Sequence, residues 1–419
     1  DPSAYRPERN IDSAAAEKRV AVIGAGPAGL TAAHNLSLKG YRTTIFEAED
    51  RPGGMLISGI PAYRLPRDVL QKEIDALIDE NITLRCGAAL GSDFTLDSLF
   101  ADGYDAVFLA MGAHRSRRMG VDGEELDGVY PSIEFLKAWN LRGESLAKGK
   151  VGIIGGGNSA LDAARVAVRQ AGVTEVTVFY RRTRREMPAY AEEIEGGLEE
   201  GVKLELLVSP VKLKGKSGRL AKVEFIKNEL GEVDASGRRR PVAMSGSERR
   251  VALDTLIVAI GEEAIDVAST DEAGVEMKGG AVVVDKRTLT TGRPGVFAGG
   301  DLTTGPNTVI DAIAAGRRAA EVIDRYLGRR ELCQAAEVRL PSAYVEPVGN
   351  EDGGQAPAHR ATATALPALE RVDSFAEVEA SLTDQDAVRE ARRCLRCDLE
   401  FTRRPEDESV LQETNRGSE

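Results

Sequence analysis

Cysteine is scarce in this chain, with four residues in 419. That is too few for a disulfide-built scaffold and fits a reducing compartment. Histidine is scarcer still. His34, His114 and His359 show neither metal-ligand spacing nor a partner motif, so they read as structural or surface residues and no acid–base dyad is expected. No apolar run approaches the length of a membrane span. The chain starts at Asp1 without a basic n-region and apolar h-region, which points to the cytoplasm. Positive charge is outnumbered, 55 lysines and arginines against 67 aspartates and glutamates. The net charge of −12 argues against nucleic acid or an anionic membrane surface as partner. The length leaves room for two or three domains with sizeable cores.

Glycine, by contrast, is plentiful, at 44 residues, and several stand in patterned turns. Val20 to Ile23 run straight into Gly24-Ala25-Gly26-Pro27-Ala28-Gly29, and a helical pattern opens with Leu30, Ala32, Ala33 and Leu36. In a dinucleotide fold the first glycine makes the tight turn and the second lets backbone approach a pyrophosphate. The third lets helix and strand pack closely, so that the helix N-terminus faces the phosphates. Alone such a string is weak. Here a second β-pattern, Arg42 to Phe46, ends in Glu47, about 20 residues on, where a carboxylate accepts both ribose hydroxyls.

Gly53 and Gly54, followed by Met55 and Leu56, allow backbone to approach a bound ring system. Arg64 lies in an apolar, proline-bracketed loop, where an unpaired guanidinium is costly; it reads as a ligand-facing donor or as a surface arginine. Asp68 to Glu80 has helical spacing and Ile82 to Cys86 reads as a short strand, with Cys86 a core residue. Asp105 to Gly112 is a buried strand whose closing glycine suits passage beneath a cofactor.

The plan then repeats. Lys150 to Ile154 lead into Gly155-Gly156-Gly157-Asn158-Ser159, a helix follows, and Glu175 to Phe179 form the next strand. Overlaying the halves puts Tyr180 where Glu47 stood, followed by Arg181 and Arg182. Arginines there accept a 2′-phosphate bidentately; the alternative is a solvated basic turn. Leu230 to Arg250, polar and charge-rich, reads as a mobile hairpin or loop. Val296 to Ala298 deliver Gly299, Gly300 and Asp301, suited to hydrogen-bonding a ribityl or phosphate group. Asn307 or Thr308 caps a helix from Val309 to Tyr326, whose N-terminal dipole suits negative charge on a reduced isoalloxazine.

The reading is an α/β protein of two Rossmann-like dinucleotide-binding domains, the second inserted in the first. Residues 18–130 and 281–330 form the first expected dinucleotide-binding domain and 131–280 the second. Residues 1–17 are an N-terminal arm. Residues 331–419 are an extended C-terminal arm that recovers helical spacing from Phe375 to Leu399 and carries Cys394 and Cys397. Two thiolates cannot complete a tetrahedral site. That pair is a docking element, part of a cluster or zinc site completed elsewhere, or redox-active.

The glycine motifs, Gly59-Ile60-Pro61-x-x-Arg64-Leu65-Pro66, Tyr180-Arg181-Arg182-Thr183-Arg184-x-x-Met187-Pro188 and Gly299-Gly300-Asp301 together resemble the flavoprotein family of the glutamate synthase small subunit. Bifurcating-type ferredoxin reductases and dihydropyrimidine dehydrogenase contain the same module. The resemblance spans about residues 15–330 and implies non-covalent FAD with NAD(P)H docking over it. It implies FAD contacts from Glu47, Arg64 and Asp301, and pyridine-nucleotide contacts from Asn158, Arg181 and Arg182. The expected FAD set is Gly24, Gly26, Pro27, Ala28, Gly29, Glu47, Gly54, Met55, Leu56, Arg64, Gly112, Gly300, Asp301, Thr308 and Val309. The expected nucleotide set is Gly155, Gly157, Asn158, Ser159, Arg181 and Arg182.

One departure is informative. The family's iron–sulfur cysteines before the FAD motif are absent from residues 1–19. Electrons leaving the flavin would therefore pass to an iron–sulfur partner subunit, as in tungsten or molybdenum aldehyde and formate oxidoreductases. The alternatives are a glutamate synthase small subunit, a stand-alone ferredoxin–NADP reductase and, outside catalysis, a flavin-binding assembly module.

Overall fold

The computed structural model describes residues 9, 15–234, 237–264, 274–333 and 360–391. Val20 to Ile23 are apolar on both faces, as an inner strand of a helix-covered parallel sheet must be, and they form β1 (Arg19–Ile23). α1 (Pro27–Leu38) follows at once, with Pro27 at its first position, where a missing N–H costs nothing. The chain continues through β2 (Arg42–Phe46), α2 (Met55–Ser58), α3 (Arg67–Leu77), β3 (Ile82–Arg85), α4 (Leu96–Ala101) and β4 (Ala106–Leu109). Two short strands, β5 (Arg115–Ser116) and β6 (Val129–Pro131), lead to α5 (Ser132–Arg142).

A second run repeats the first: β7 (Gly149–Ile154), α6 (Asn158–Val168), β8 (Val173–Tyr180), α7 (Ala191–Glu199) and β9 (Lys203–Leu206). Four antiparallel strands come next: β10 (Val208–Lys216), β11 (Arg219–Val233), β12 (Arg239–Ala243) and β13 (Arg249–Ala252). β14 (Thr255–Val258), β15 (Glu262–Glu263), β16 (Met277–Lys278), β17 (Ala281–Val282) and β18 (Val296–Ala298) precede the last helices. These are α8 (Asp301–Thr304), α9 (Val309–Leu327), α10 (Ala368–Val372) and α11 (Asp384–Ala391).

The strands assemble into two five-stranded parallel sheets, ordered β18-β4-β1-β2-β3 and β6-β14-β7-β8-β9. In each, the strand before the glycine turn is central, with its successor on one side and a later strand on the other. The crevice at the carboxyl end of such a switch point is where doubly wound sheets bind ligands. The second sheet is built entirely from residues between β4 and β18. The outgoing and returning links pair as an antiparallel ribbon, Ser116 opposite Glu262 and Arg115 opposite Glu263. Small residues let α1 and α9 pack closely: Ala32, Ala33, Ala319 and Ala320 are all at most 1 % exposed, and a Cβ on Gly316 would lie 2.3 Å from the Ala28 carbonyl oxygen.

One compact unit holds residues 1–334 and 367–377; a second holds 335–366 and 378–419 and includes α11 and an Ala365–Glu379 bridge. Among the described residues no helix is long and apolar enough to cross a membrane.

Several local expectations change. The Leu230–Arg250 stretch, read as a hairpin or loop, holds a hairpin: β11 runs to Val233 and pairs with β12, while β13 pairs with β11 across from β10. Cys86 is exposed, not core. It follows β3, an edge strand on which burial alternates, so only one face meets the protein. The helix expected to reach Glu80 stops at Leu77, because Ile78 is extended. α10 forms inside the stretch read as an extended arm. Among the described residues from Phe375 onward helix is confined to α11, and His359, Cys394 and Cys397 lie outside the described residues.

Candidate functional site

Gly24, Gly26, Pro27, Ala28, Glu47 and Gly54 line one cleft at the carboxyl end of the first sheet. Met55, Leu56, Gly112, Gly300, Asp301, Thr308 and Val309 line the same cleft. Four separated stretches thus converge. Gly29 sits behind the turn, against the Gly24 carbonyl.

Glu47 directly follows β2 and is buried. Its carboxylate accepts the Ala25 N–H at 2.7 Å and the Glu49 N–H at 2.9 Å. Burial pushes its pKa up, and those two donors pull it back down. The backbone bonds fix the carboxylate at the turn and leave acceptor capacity free for ribose hydroxyls. Asp301 opens α8, and its Oδ1 is buried without a hydrogen-bond partner. Burial, reinforced by Asp311 and Glu262, raises this carboxyl to about 6 against the pull of the Asn307 N–H. Such an orphaned acceptor in a cleft is open to a donor from a ligand or a water.

Three further residues of the cleft escaped the sequence reading. Lys137 of α5 donates to Glu49 at 2.6 Å. His114 also lines the cleft, with Nδ1 buried and unpartnered; burial first, then Lys137, pushes its imidazole down to about 4. Arg51 lines the cleft as well. Only His114 left a trace in the sequence, two positions after the glycine that closes β4. Lys137 left none, since its helix belongs to the next stretch of chain.

The observed residues fit an adenine dinucleotide carrying a flavin. The orphaned Asp301 oxygen suits a ribityl hydroxyl, and Glu47 suits the adenosine ribose. Gly54 and Gly26 approach so closely that a Cβ on Gly54 would lie 2.8 Å from the Gly26 Cα, which lets backbone reach a pyrophosphate. Met55, Leu56 and Val309 supply apolar surface for a ring system.

The second glycine turn joins β7 to α6, with Gly157 as N-cap. Asn158 accepts the Tyr190 N–H at 3.0 Å, and Ser159 hydrogen-bonds Glu262, a carboxyl raised by burial. Tyr180 packs on Gly156 and donates to the Glu186 carbonyl at 2.7 Å. The two arginines that follow separate in role. Arg181 is exposed, and partial burial together with Arg182 and Arg238 pushes its pKa down. That electropositive surrounding suits a phosphate. Arg182 is buried instead, donating to Asp234 at 2.7 Å and to the Arg239 carbonyl at 2.6 Å. The expectation that it contacts nucleotide is therefore corrected: the β11–β12 hairpin reaches back and takes its donors.

Arg64 is corrected likewise. It is not part of the cleft lining. Nη1 reaches both oxygens of Asp162 at 2.9 and 3.0 Å, and Nε meets Glu193 at 2.8 Å. The apolar loop does force the guanidinium to find a partner, but the partner is protein.

Two switch-point crevices, each with a glycine turn at its central strand, define a two-dinucleotide-domain oxidoreductase fold. Residues 18–316 match the family described as pyridine nucleotide-disulphide oxidoreductase, and the chain belongs to that family. It is 45% identical over 391 residues to the NADP(+)-dependent formate dehydrogenase subunit beta of Moorella thermoacetica, covering 91% of this chain and 54% of that protein. It is 36% identical over 326 residues to the glutamate synthase [NADPH] small chain of Escherichia coli K12, covering 74% of this chain and 69% of that one. Among solved structures, Mycobacterium tuberculosis FprA in complex with NADPH superposes with a TM-score of 0.64 at 19% identity. That likeness covers 74% of this chain and 85% of FprA and concerns the fold. The chain thus spans about half the length of its Moorella relative.

Proposed function

We propose that this chain is an FAD-holding subunit that exchanges electrons between NAD(P)H and the iron–sulfur clusters of a partner. The orphaned Asp301 carboxylate in the first crevice is the observation that carries the flavin assignment. The assignment to a larger enzyme is supported by relatives that are themselves named as a subunit or small chain. A flavin held there would supply two-electron chemistry toward nicotinamide and one-electron chemistry toward clusters. The residues of the chain bind and orient. Glu47 would hold the ribose, Asp301 would hold the ribityl chain, and the start of α9, where Thr308 accepts from the Asp311 N–H at 3.1 Å, would turn a positive dipole end toward negative charge in the cleft. No side chain is required to transfer a proton in the hydride step. The alternative role as a glutamate synthase small chain draws on the Escherichia coli relative; glutamate formation from 2-oxoglutarate with a large-subunit partner would separate the two.

The test is anaerobic mixing of the purified yellow chain with NADPH and NADH. Bleaching of the flavin is expected, faster with NADPH. Arg181→Ala should raise the KM for NADPH by about tenfold or more, the loss of a charge-assisted bond to phosphate, with little change for NADH. A flavin that neither nucleotide bleaches would reduce the chain to an assembly module.

Asp301 gives a pH prediction. Its ionised form accepts a ribityl hydroxyl, so flavin affinity should be full above about pH 6 and fall as acid titrates the free carboxyl. Fluorescence titration of the flavin-stripped chain measures this, and Asp301→Asn should flatten the profile.

A further inference from the structure

The loop after α2 ends in a buried ionic lattice that the electron-transfer reading does not use. Arg64 bridges Asp162 on α6 and Glu193 on α7. Arg165 binds Glu193 at 2.6 Å and Glu200 at 2.7 Å, and Arg169 binds the same Glu200 at 2.6 Å. Tyr63, 1 % exposed, lies beneath both guanidinium groups, 4.5 Å from Arg165 and 4.3 Å from Arg169. Residues from the C-terminal region close the lattice: the Ser374 carbonyl accepts from Arg169 at 3.0 Å, and Phe375 stacks on Trp139 with centroids 4.6 Å apart.

A lattice of this kind is a poor device for stability alone. Desolvating so many charges costs nearly what their attraction returns. Burial lifts Asp162 to about 6 even beside Arg64 and Arg165. What the arrangement does supply is direction. Asp162 stands one helical turn past Asn158, at the second glycine turn, and Arg64 stands on the loop that continues from Met55 and Leu56 in the flavin cleft. Few residues separate each end of the Arg64–Asp162 pair from one nucleotide site.

We propose that the Arg64–Asp162 pair is a positioning contact that sets the spacing between the two nucleotide sites for hydride transfer. It rests on the electron-transfer reading above. The Arg64 guanidinium is suited to this because Nη1 on both Asp162 oxygens and Nε on Glu193 tie its loop to α6 and α7 at once, and hydride transfer is sensitive to misplacement on the scale of an ångström.

The experiment compares the full-length chain with Arg64→Gln, Asp162→Asn and the conservative Arg64→Lys. Flavin content and the Kd for NADPH should stay within about twofold of the parent. The limiting rate of flavin reduction in anaerobic stopped flow should fall by about tenfold or more in Arg64→Gln and Asp162→Asn, and the long-wavelength charge-transfer band of the nicotinamide–flavin complex should weaken. Arg64→Lys, which keeps the charge but has a single nitrogen for the Asp162 and Glu193 carboxylates, should recover only part of both. In the flavin-free chain, hydrogen exchange across residues 59–66 and 158–169 should quicken in Arg64→Gln. Unchanged limiting rate and charge-transfer band in folded, flavin-loaded variants would overturn the positioning role while leaving the electron-transfer reading intact. A chain that takes up no flavin would overturn that reading, and unchanged exchange in its variants would then remove the coupling as well.

Discussion

Gly29→Ala should give a colourless chain. A Cβ at this position would lie 1.9 Å from the Gly24 carbonyl oxygen and 3.2 Å from Val22 Cγ1. No rotation of a side chain relieves a contact with backbone, so either the turn or α1 must move. α1 is held by its close packing on α9, which leaves the turn to yield, and the turn is the floor of the flavin cleft. Overpacking of this kind costs about 1–3 kcal/mol of stability. The loss of flavin affinity should be larger, about a hundredfold or more, because several backbone donors are displaced together. Flavin absorbance per chain after purification, with a melting curve beside it, measures both. A yellow Gly29→Ala protein with parental affinity would show that the cleft does not bind through this turn.

Gly155→Ala should separate the two sites. Gly155 has φ +150°, and a Cβ there would lie 2.2 Å from the Ala259 carbonyl oxygen. The strain falls on the junction of β7, β14 and α6, in the sheet that contributes no strand to the flavin side. The variant should therefore purify yellow, with flavin content near that of the parent. NADPH should reduce it about a hundredfold more slowly, as expected when the nucleotide can no longer approach the backbone. Stopped-flow reduction and equilibrium NADPH binding check the two halves of the expectation. Loss of flavin from this variant would mean that the two crevices do not function independently.

What could be read from the sequence was local. Gly24 to Gly29 and Gly155 to Asn158 declare themselves because strand, turn and helix are contiguous, and Glu47 follows within one strand–helix–strand unit. Asp301 became readable because Gly299 and Gly300 stand beside it, and the structure places it in the same cleft. Arg64 and Arg182 were misread for the opposite reason. Their partners are 98 and 52 positions away, and no local pattern shows whether a distant carboxylate returns to meet a guanidinium. Arg182 is taken up by a hairpin whose polar composition resembles that of a loop. Cys86 shows a related blindness: the apolar content of Ile82 to Cys86 is compatible with an inner or an edge strand, and only the order of the sheet decides.

The placement of β18 bears on how a ribosome must make this protein. β4 ends at Leu109, yet its neighbour does not begin until Val296. While the intervening chain emerges, the first sheet waits with one side of β4 unpaired, and bare strand edges recruit unrelated chains. The inserted sheet is contiguous in sequence and can close first, so the sheet whose strands begin to emerge first is the later of the two to mature. Mutations that slow elongation between those two strands, or that delay closure of the insert, should therefore lower yield from the cell more than they lower the melting temperature of whatever survives.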